Sequence, residues 1–119
     1  MYATGTALAG KVAIVTGGAS GIGEAVGKIF AANQCKVVLV DINNDRLQNV
    51  AAEISASGGV CRAVHADVTQ EDQVIKFFKD TVDEWGRLDL LVNSAGRDSL
   101  APPVTEVTLE EWNKTIGPN

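Results

Sequence analysis

The apolar run Lys11–Val15 passes directly into Thr16-Gly17-Gly18-Ala19-Ser20-Gly21-Ile22-Gly23 and then into residues at helical spacing. A strand, a glycine-rich turn and a helix in immediate succession make a βα unit, and little else fits that order. Glycines at 17, 21 and 23 present no Cβ, so the backbone can turn tightly and let a ligand approach. Gly21 and Gly23 are expected to serve that approach as well as the fold. The helix opens near Gly21, just after Ser20, and aims its unpaired N–H groups and positive dipole end at the turn, which suits a pyrophosphate. Ile22, Ala25, Val26, Ile29 and Phe30 recur at helical spacing, which predicts that this face packs on a sheet. The same glycines would also suit a plain tight turn with no ligand.

A second apolar run, Lys36–Val40, ends in Asp41, about twenty residues past the glycines. A dinucleotide-binding fold places a carboxylate there to accept hydrogen bonds from ribose hydroxyls. The competing reading is a nucleoside-triphosphate loop, because Gly18 and Gly23 have its glycine spacing. It fails at Glu24-Ala25, where a phosphate-binding Lys and a magnesium-binding Ser or Thr should stand. Asp41 favours NAD over NADP by about ten- to a hundred-fold, because the carboxylate repels a 2′-phosphate and hydrogen-bonds the free hydroxyls. Arg46 is the nearest following cation, and its place in the second helix predicts a poor phosphate clamp.

At 119 residues the chain is one domain at most, and a formal charge of −5 argues against a nucleic-acid groove. No apolar run approaches the ~20 residues a membrane span needs. Met1–Gly10 lacks the basic head and apolar core of a signal peptide and reads as an N-terminal extension to a domain spanning residues 11–119. A cytoplasmic chain is the expectation, which makes the Asn113-Lys114-Thr115 sequon an accident. Cys35 and Cys61 have no metal or CxxC spacing and read as buried free thiols. The single histidine, His65, has no ligating companions and reads as structural, and no metal site is expected.

Further along, Leu47, Val50, Ala51 and Ile54 mark a second amphipathic helix closed by Ser57-Gly58-Gly59. Val60–Ala66 reads as a third strand ending in Asp67-Val68. Thr69 and Asp72 resemble a capping box that opens a third helix with the stripe Val74, Phe77, Phe78, Val82 and Trp85, stopped by Gly86. Leu88–Val92 is a fourth strand ending in Asn93-Ser94-Ala95-Gly96. Arg97–Val107 is a Pro-containing loop, and Thr108-Leu109-Glu110-Glu111 caps a fourth helix carrying Trp112. Alternating strands and helices predict an α/β, doubly wound parallel sheet of Rossmann type with strand order 3-2-1-4. The pattern runs as far as the fourth strand and the start of the fourth helix. All the suspicious motifs fall at strand carboxyl ends, where such sheets bind ligands.

From Lys11 to Asn119 the chain resembles the short-chain dehydrogenase/reductase family. Thr16–Gly23 is similar to its TGxxxGxG cofactor turn, Asp67-Val68 to its adenine pocket, and Asn93-Ser94-Ala95-Gly96 to its NNAG motif, with Ser94 replacing the second Asn. The resemblance implies cofactor contacts at Gly17, Ser20, Gly21, Ile22, Gly23, Asp41, Asp67, Val68, Asn93, Ala95 and Gly96. It also implies an NAD(H)-dependent oxidoreductase interconverting a secondary alcohol and a ketone, with a homo-oligomeric parent and neither nucleic-acid nor membrane partners. Asn119, seven residues after Trp112, matches the helix-borne catalytic Asn, although Pro118 replaces the usual apolar residue before it. The family's Ser and its YxxxK pair have no match here. Tyr2 is the only tyrosine, and Thr6 stands four residues on. The 119 residues alone are therefore expected to be inactive. With Leu88–Val92 at a sheet edge, they are also expected to self-associate. Read as a complete product, the chain would instead be a non-catalytic dinucleotide-binding module or a remnant.

Overall fold

A computed structural model describes residues 5–98 and 102–119. Tyr2 and the middle of the loop after Gly96 lie outside the described residues. The strands are β1 (Val12–Thr16), β2 (Lys36–Asp41), β3 (Val60–His65) and β4 (Leu90–Asn93). Between them run α1 (Gly21–Ala32), α2 (Asn44–Ala56) and α3 (Glu71–Trp85), and α4 (Leu109–Ile116) follows a short 3-10 turn at Val104–Glu106. All pairings are parallel and the order is β3-β2-β1-β4, as the alternation predicts.

Strand periodicity explains the two layers. Successive side chains point to opposite faces, so Ala13, Val15, Val37 and Leu39 join one core with Leu47, Val50 and Ile54 of α2. Ile14, Val38 and Val40 join another with Phe77 of α3. Right-handed crossovers send α1 and α2 to the first face. The chain then returns past β1 to form β4, which puts α3 on the other face. The order reverses between β1 and β4, beside the glycine turn.

Three local expectations are corrected. Of the face expected for helix α1, Val26 and Phe30 pack on the first core, whereas Ile22 and Ile29 are exposed. The most buried positions of the helix are Gly23, Gly27 and Ala31, small residues that let it lie close to the sheet. Helix α3 starts at Glu71 with Gln70 as its N-cap, and no Thr69–Asp72 box forms. The Thr69 hydroxyl donates instead to Asp67 Oδ1 at 2.7 Å. Helix α4 ends at Ile116, so Asn119 lies beyond it. Pro118 has no N–H to continue the ladder. The expected capping box at Thr108 and Glu111 does form, with Glu111 N–H donating to Thr108 Oγ1 at 3.2 Å.

Both cysteines are free, Cys35 buried and Cys61 half-buried. Burial pushes each thiol up to about 11, with Asp89 adding to the shift at Cys35. Leu8, inside the stretch read as an extension, packs on the first core, and Gly5 N–H donates to Asn33 Oδ1 at 2.7 Å. His65 is exposed and pairs in register with Asp41. Among the described residues no cluster could hold a metal ion, and no helix is long and apolar enough to cross a membrane.

Candidate functional site

A cleft of about 990 Å³ opens at the carboxyl ends of the strands. Of the residues singled out from the sequence, Gly17, Ser20, Gly21, Ile22, Asp41, Asp67, Val68, Ala95 and Gly96 line it. Gly23, Asn93 and Asn119 do not.

The turn is held from three sides. Gly17 has φ +69°, and a Cβ there would come within 2.7 Å of the Ser94 and Ala95 backbone. A Cβ on Gly23 would overlap the Gly17 carbonyl oxygen. Gly23 is thus buried beneath the turn and serves packing, whereas Gly21, with open space around it, faces the cleft. The Thr16 hydroxyl donates to the Val92 carbonyl at 3.5 Å and accepts from Ala95 N–H at 3.2 Å, tying β1 to the segment after β4. Ser20, the N-cap of α1, makes no side-chain capping bond. The first-turn N–H groups of α1 therefore stay available for an anion at the cleft.

Asp41 ends β2 with each carboxylate oxygen used once. Oδ2 accepts from Ala19 N–H at 3.0 Å and Oδ1 from Asn43 N–H at 2.9 Å. A carboxylate has about four acceptor positions, so roughly two remain for incoming hydroxyls. Arg46, in the first turn of α2, reaches back to the turn, where its Nε donates to the Ala19 carbonyl at 3.2 Å. At the far side, Asp67 Oδ1 accepts from both the amide and the hydroxyl of Thr69, and Gln73 Oε1 accepts from Asp67 N–H at 2.8 Å. The Thr69 hydroxyl and then its amide hold the Asp67 carboxyl below its usual range.

Asn93 is exposed on β4 and paired in register with Thr16. Asn119 donates from Nδ2 to the carbonyls of Arg97 and Thr115, joining the loop after β4 to α4. Ser94, within the Asn93–Gly96 stretch, also lines the cleft; sequence reasoning missed Val40, Ile42, Ala66, Thr69 and Arg97 on the floor and rim, and Glu110, Asn113, Lys114 and Pro118 in and just after α4. Val40, Ile42 and Ala66 adjoin strand ends and could have been found by taking each strand's carboxyl terminus as a unit. The α4 wall depends on how a loop folds back.

A sequence profile described as short chain dehydrogenase matches residues 11–119. The chain belongs to the short-chain dehydrogenase/reductase family. It is 41% identical to the short chain dehydrogenase/reductase dpchG of Colletotrichum higginsianum over 96% of its own length and 42% of the relative's. Two solved structures carry the same fold with a cofactor. One is a metagenomic short-chain oxidoreductase in complex with NADP, at 33% identity and TM-score 0.87 over 92% of this chain and 50% of that one. The other is a family member from Burkholderia phymatum in complex with NAD, at 29% identity and TM-score 0.89 over 92% of this chain and 39% of that one. The chain spans less than half the length of the curated relatives it matches.

Proposed function

We propose that these residues form the nicotinamide-dinucleotide site of an oxidoreductase that interconverts a secondary alcohol and a ketone, and that NAD(H) is its favoured cofactor. The observation that carries this reading is Asp41, fixed by two backbone donors at the end of β2 and still able to accept from two hydroxyls in the cleft. The adenosine ribose would meet Asp41, the pyrophosphate would meet the turn and α1 N-terminus at Ser20–Ile22, and the adenine would meet Asp67-Val68. Ala95 and Gly96 would border the far side. Gly23 and Asn93 would act from beneath and beside the site, supporting the turn and the sheet. The cofactor, when bound, would give hydride to the ketone or accept it from the alcohol. This chain's part is to hold it oriented by fixed backbone dipoles and side chains. Asn119 would position the substrate side through the backbone it ties.

Titration of NADH and NADPH against the full-length protein, followed by cofactor fluorescence, tests this. NADH should bind more tightly, and Asp41→Ala should lose about tenfold or more of that affinity. Tighter NADPH binding, or an indifferent Asp41→Ala, would refute the preference.

A further inference from the structure

The cleft is polarised along its length. Its charged lining residues are Asp41, Asp67, Arg97, Glu110 and Lys114. Glu110 and Lys114 pair with each other at 2.6 Å and cancel locally. Asp41 closes β2 and Asp67 follows β3, which puts both carboxylates at one end of the strand row β3-β2-β1-β4. Arg97 follows β4, at the other end. The ion pairs among the described residues engage Lys28, Arg62, Lys76, Lys79, Arg87 and Lys114, and Arg97 enters none of them. Its backbone is nevertheless held, because the Arg97 carbonyl accepts from Asn119 Nδ2 at 2.8 Å.

Strand spacing sets what reaches this end of the cleft. Neighbouring strands lie about 4.8 Å apart, so the four strand mouths span about 14 Å. A dinucleotide laid with adenine at Asp67-Val68, ribose at Asp41 and pyrophosphate at the turn after β1 has one mouth left for its nicotinamide, that of β4. A molecule that exchanges hydride with that ring meets it on the side of Gly96 and Arg97.

We propose that Arg97 selects an anionic substrate, a hydroxy acid and its oxo acid, by binding the carboxylate while the alcohol or ketone carbon faces the nicotinamide. This rests on reading the cleft as a dinucleotide site and adds the substrate class to it. A guanidinium offers two parallel N–H donors that match the two oxygens of a carboxylate, so it fixes orientation as well as charge. One guanidinium balances one negative charge, which suits a carboxylate better than a phosphate dianion. A neutral ketone has no such anchor. The carboxylate is unchanged by the reaction and serves only to hold the reacting carbon in place.

Reduction of pyruvate, acetoacetate and levulinate, each beside its methyl ester, by the full-length protein tests this, with NADH binding followed by calorimetry. In at least one pair the acid should exceed its ester in kcat/KM by about tenfold or more, the span of a charge-assisted hydrogen bond. Arg97 is exposed on the rim, so Arg97→Gln leaves the core intact. It should remove most of that ratio, through the KM of the acid rather than kcat, and weaken NADH by less than about threefold. Arg97→Lys keeps the charge without the fork and should keep a larger share of the ratio. Turnover of no acid, or esters reduced as well as their acids in every pair, would overturn the proposal. So would a loss in Arg97→Gln shared equally by acid and ester, or a lysine variant that loses as much as the glutamine one. A fall in NADH affinity as large as the rise in KM would make Arg97 a cofactor contact and overturn it too. Failure of the unaltered protein to bind either NADH or NADPH would instead refute the reading of the cleft, and the proposal with it.

Discussion

Replacing Gly23 with Ala separates packing under the turn from contact with the ligand. In an ordinary helix interior the change would stabilise by about 1 kcal/mol, because glycine is the poorer helix former. Here the new Cβ would overlap the Gly17 carbonyl oxygen, a backbone atom. That carbonyl cannot retreat freely, since Gly17 is itself pressed against the Ser94 and Ala95 backbone. Overpacking against a rigid neighbour costs about 1–3 kcal/mol and occasionally more, so the expected net loss is about 1–2 kcal/mol. For 119 residues, at about 2.1 cal/mol/K of unfolding entropy per residue, that is a fall in Tm of about 4–8 °C. Gly27→Ala is the control. Its Cβ would meet Leu39 Cδ2 at 2.6 Å, the far end of a flexible side chain. A rotamer change relieves it, and the helix gain leaves stability within about 1 kcal/mol of the parent. Thermal unfolding with and without saturating NADH measures both. NADH affinity should fall in Gly23→Ala, because the displaced turn moves the α1 N-terminus, and should hold in Gly27→Ala. If Gly23→Ala keeps both its Tm and its NADH affinity, the close approach of α1 to the turn is not what builds the site.

Two other expectations follow from charge and burial. Asp89 accepts from Val12 N–H at 2.9 Å and from Arg87 at 2.7 and 2.8 Å, and the Arg87 guanidinium, then the Val12 amide, hold its carboxyl below the ordinary 3.8. A depressed carboxylate stabilises the fold fully above its unfolded pKa and loses that contribution as pH falls through its folded one. Asp89→Asn should therefore lower Tm at neutral pH and flatten its decline below about pH 4; an unchanged acid limb would refute the role. Cys35 and Cys61, both pushed up to about 11, should react with a thiol reagent at pH 8 at least about a hundredfold more slowly in the native protein than in denaturant. Rapid native labelling would refute their burial.

The sheet was legible in the sequence because its two central strands, β1 and β2, are buried on both faces and are followed by the glycine turn and a carboxylate. Val12–Thr16 and Val37–Val40 are buried throughout, and such runs leave few other placements. The face of α1 was not legible by counting large apolar residues. Val26 and Phe30 do pack on the core, but the closest approach is made by Gly23, Gly27 and Ala31, and Ile22 and Ile29 are left outside. The start of α3 was misread because Thr69 is tied back to Asp67 through both its amide and its hydroxyl, and the N-cap position falls one residue later, at Gln70. The contact of Arg46 with the turn was not legible, because a long side chain in the first turn of α2 reaches back twenty-seven residues, which spacing alone does not reveal. The cleft floor followed from strand ends, while its α4 wall depends on tertiary return of the chain.

In β1, Ala13 and Val15 belong to one helical layer and Ile14 to the other. A shift of one residue along the sheet would exchange those owners. The strand therefore works as a fixed ruler. Its last residue, Thr16, meets Val40 on one side and Asn93 on the other, and the glycine turn begins one residue later. The height of the cleft floor cannot be adjusted by sliding any of these three strands, because each is read against its neighbour in register. What remains adjustable is the furniture at the strand mouths: Val40, Ile42, Ala66 and Ser94 around a turn whose position is set. A scaffold so fixed in depth and so open at its rim can change what it holds through a few side chains while the sheet beneath stays the same.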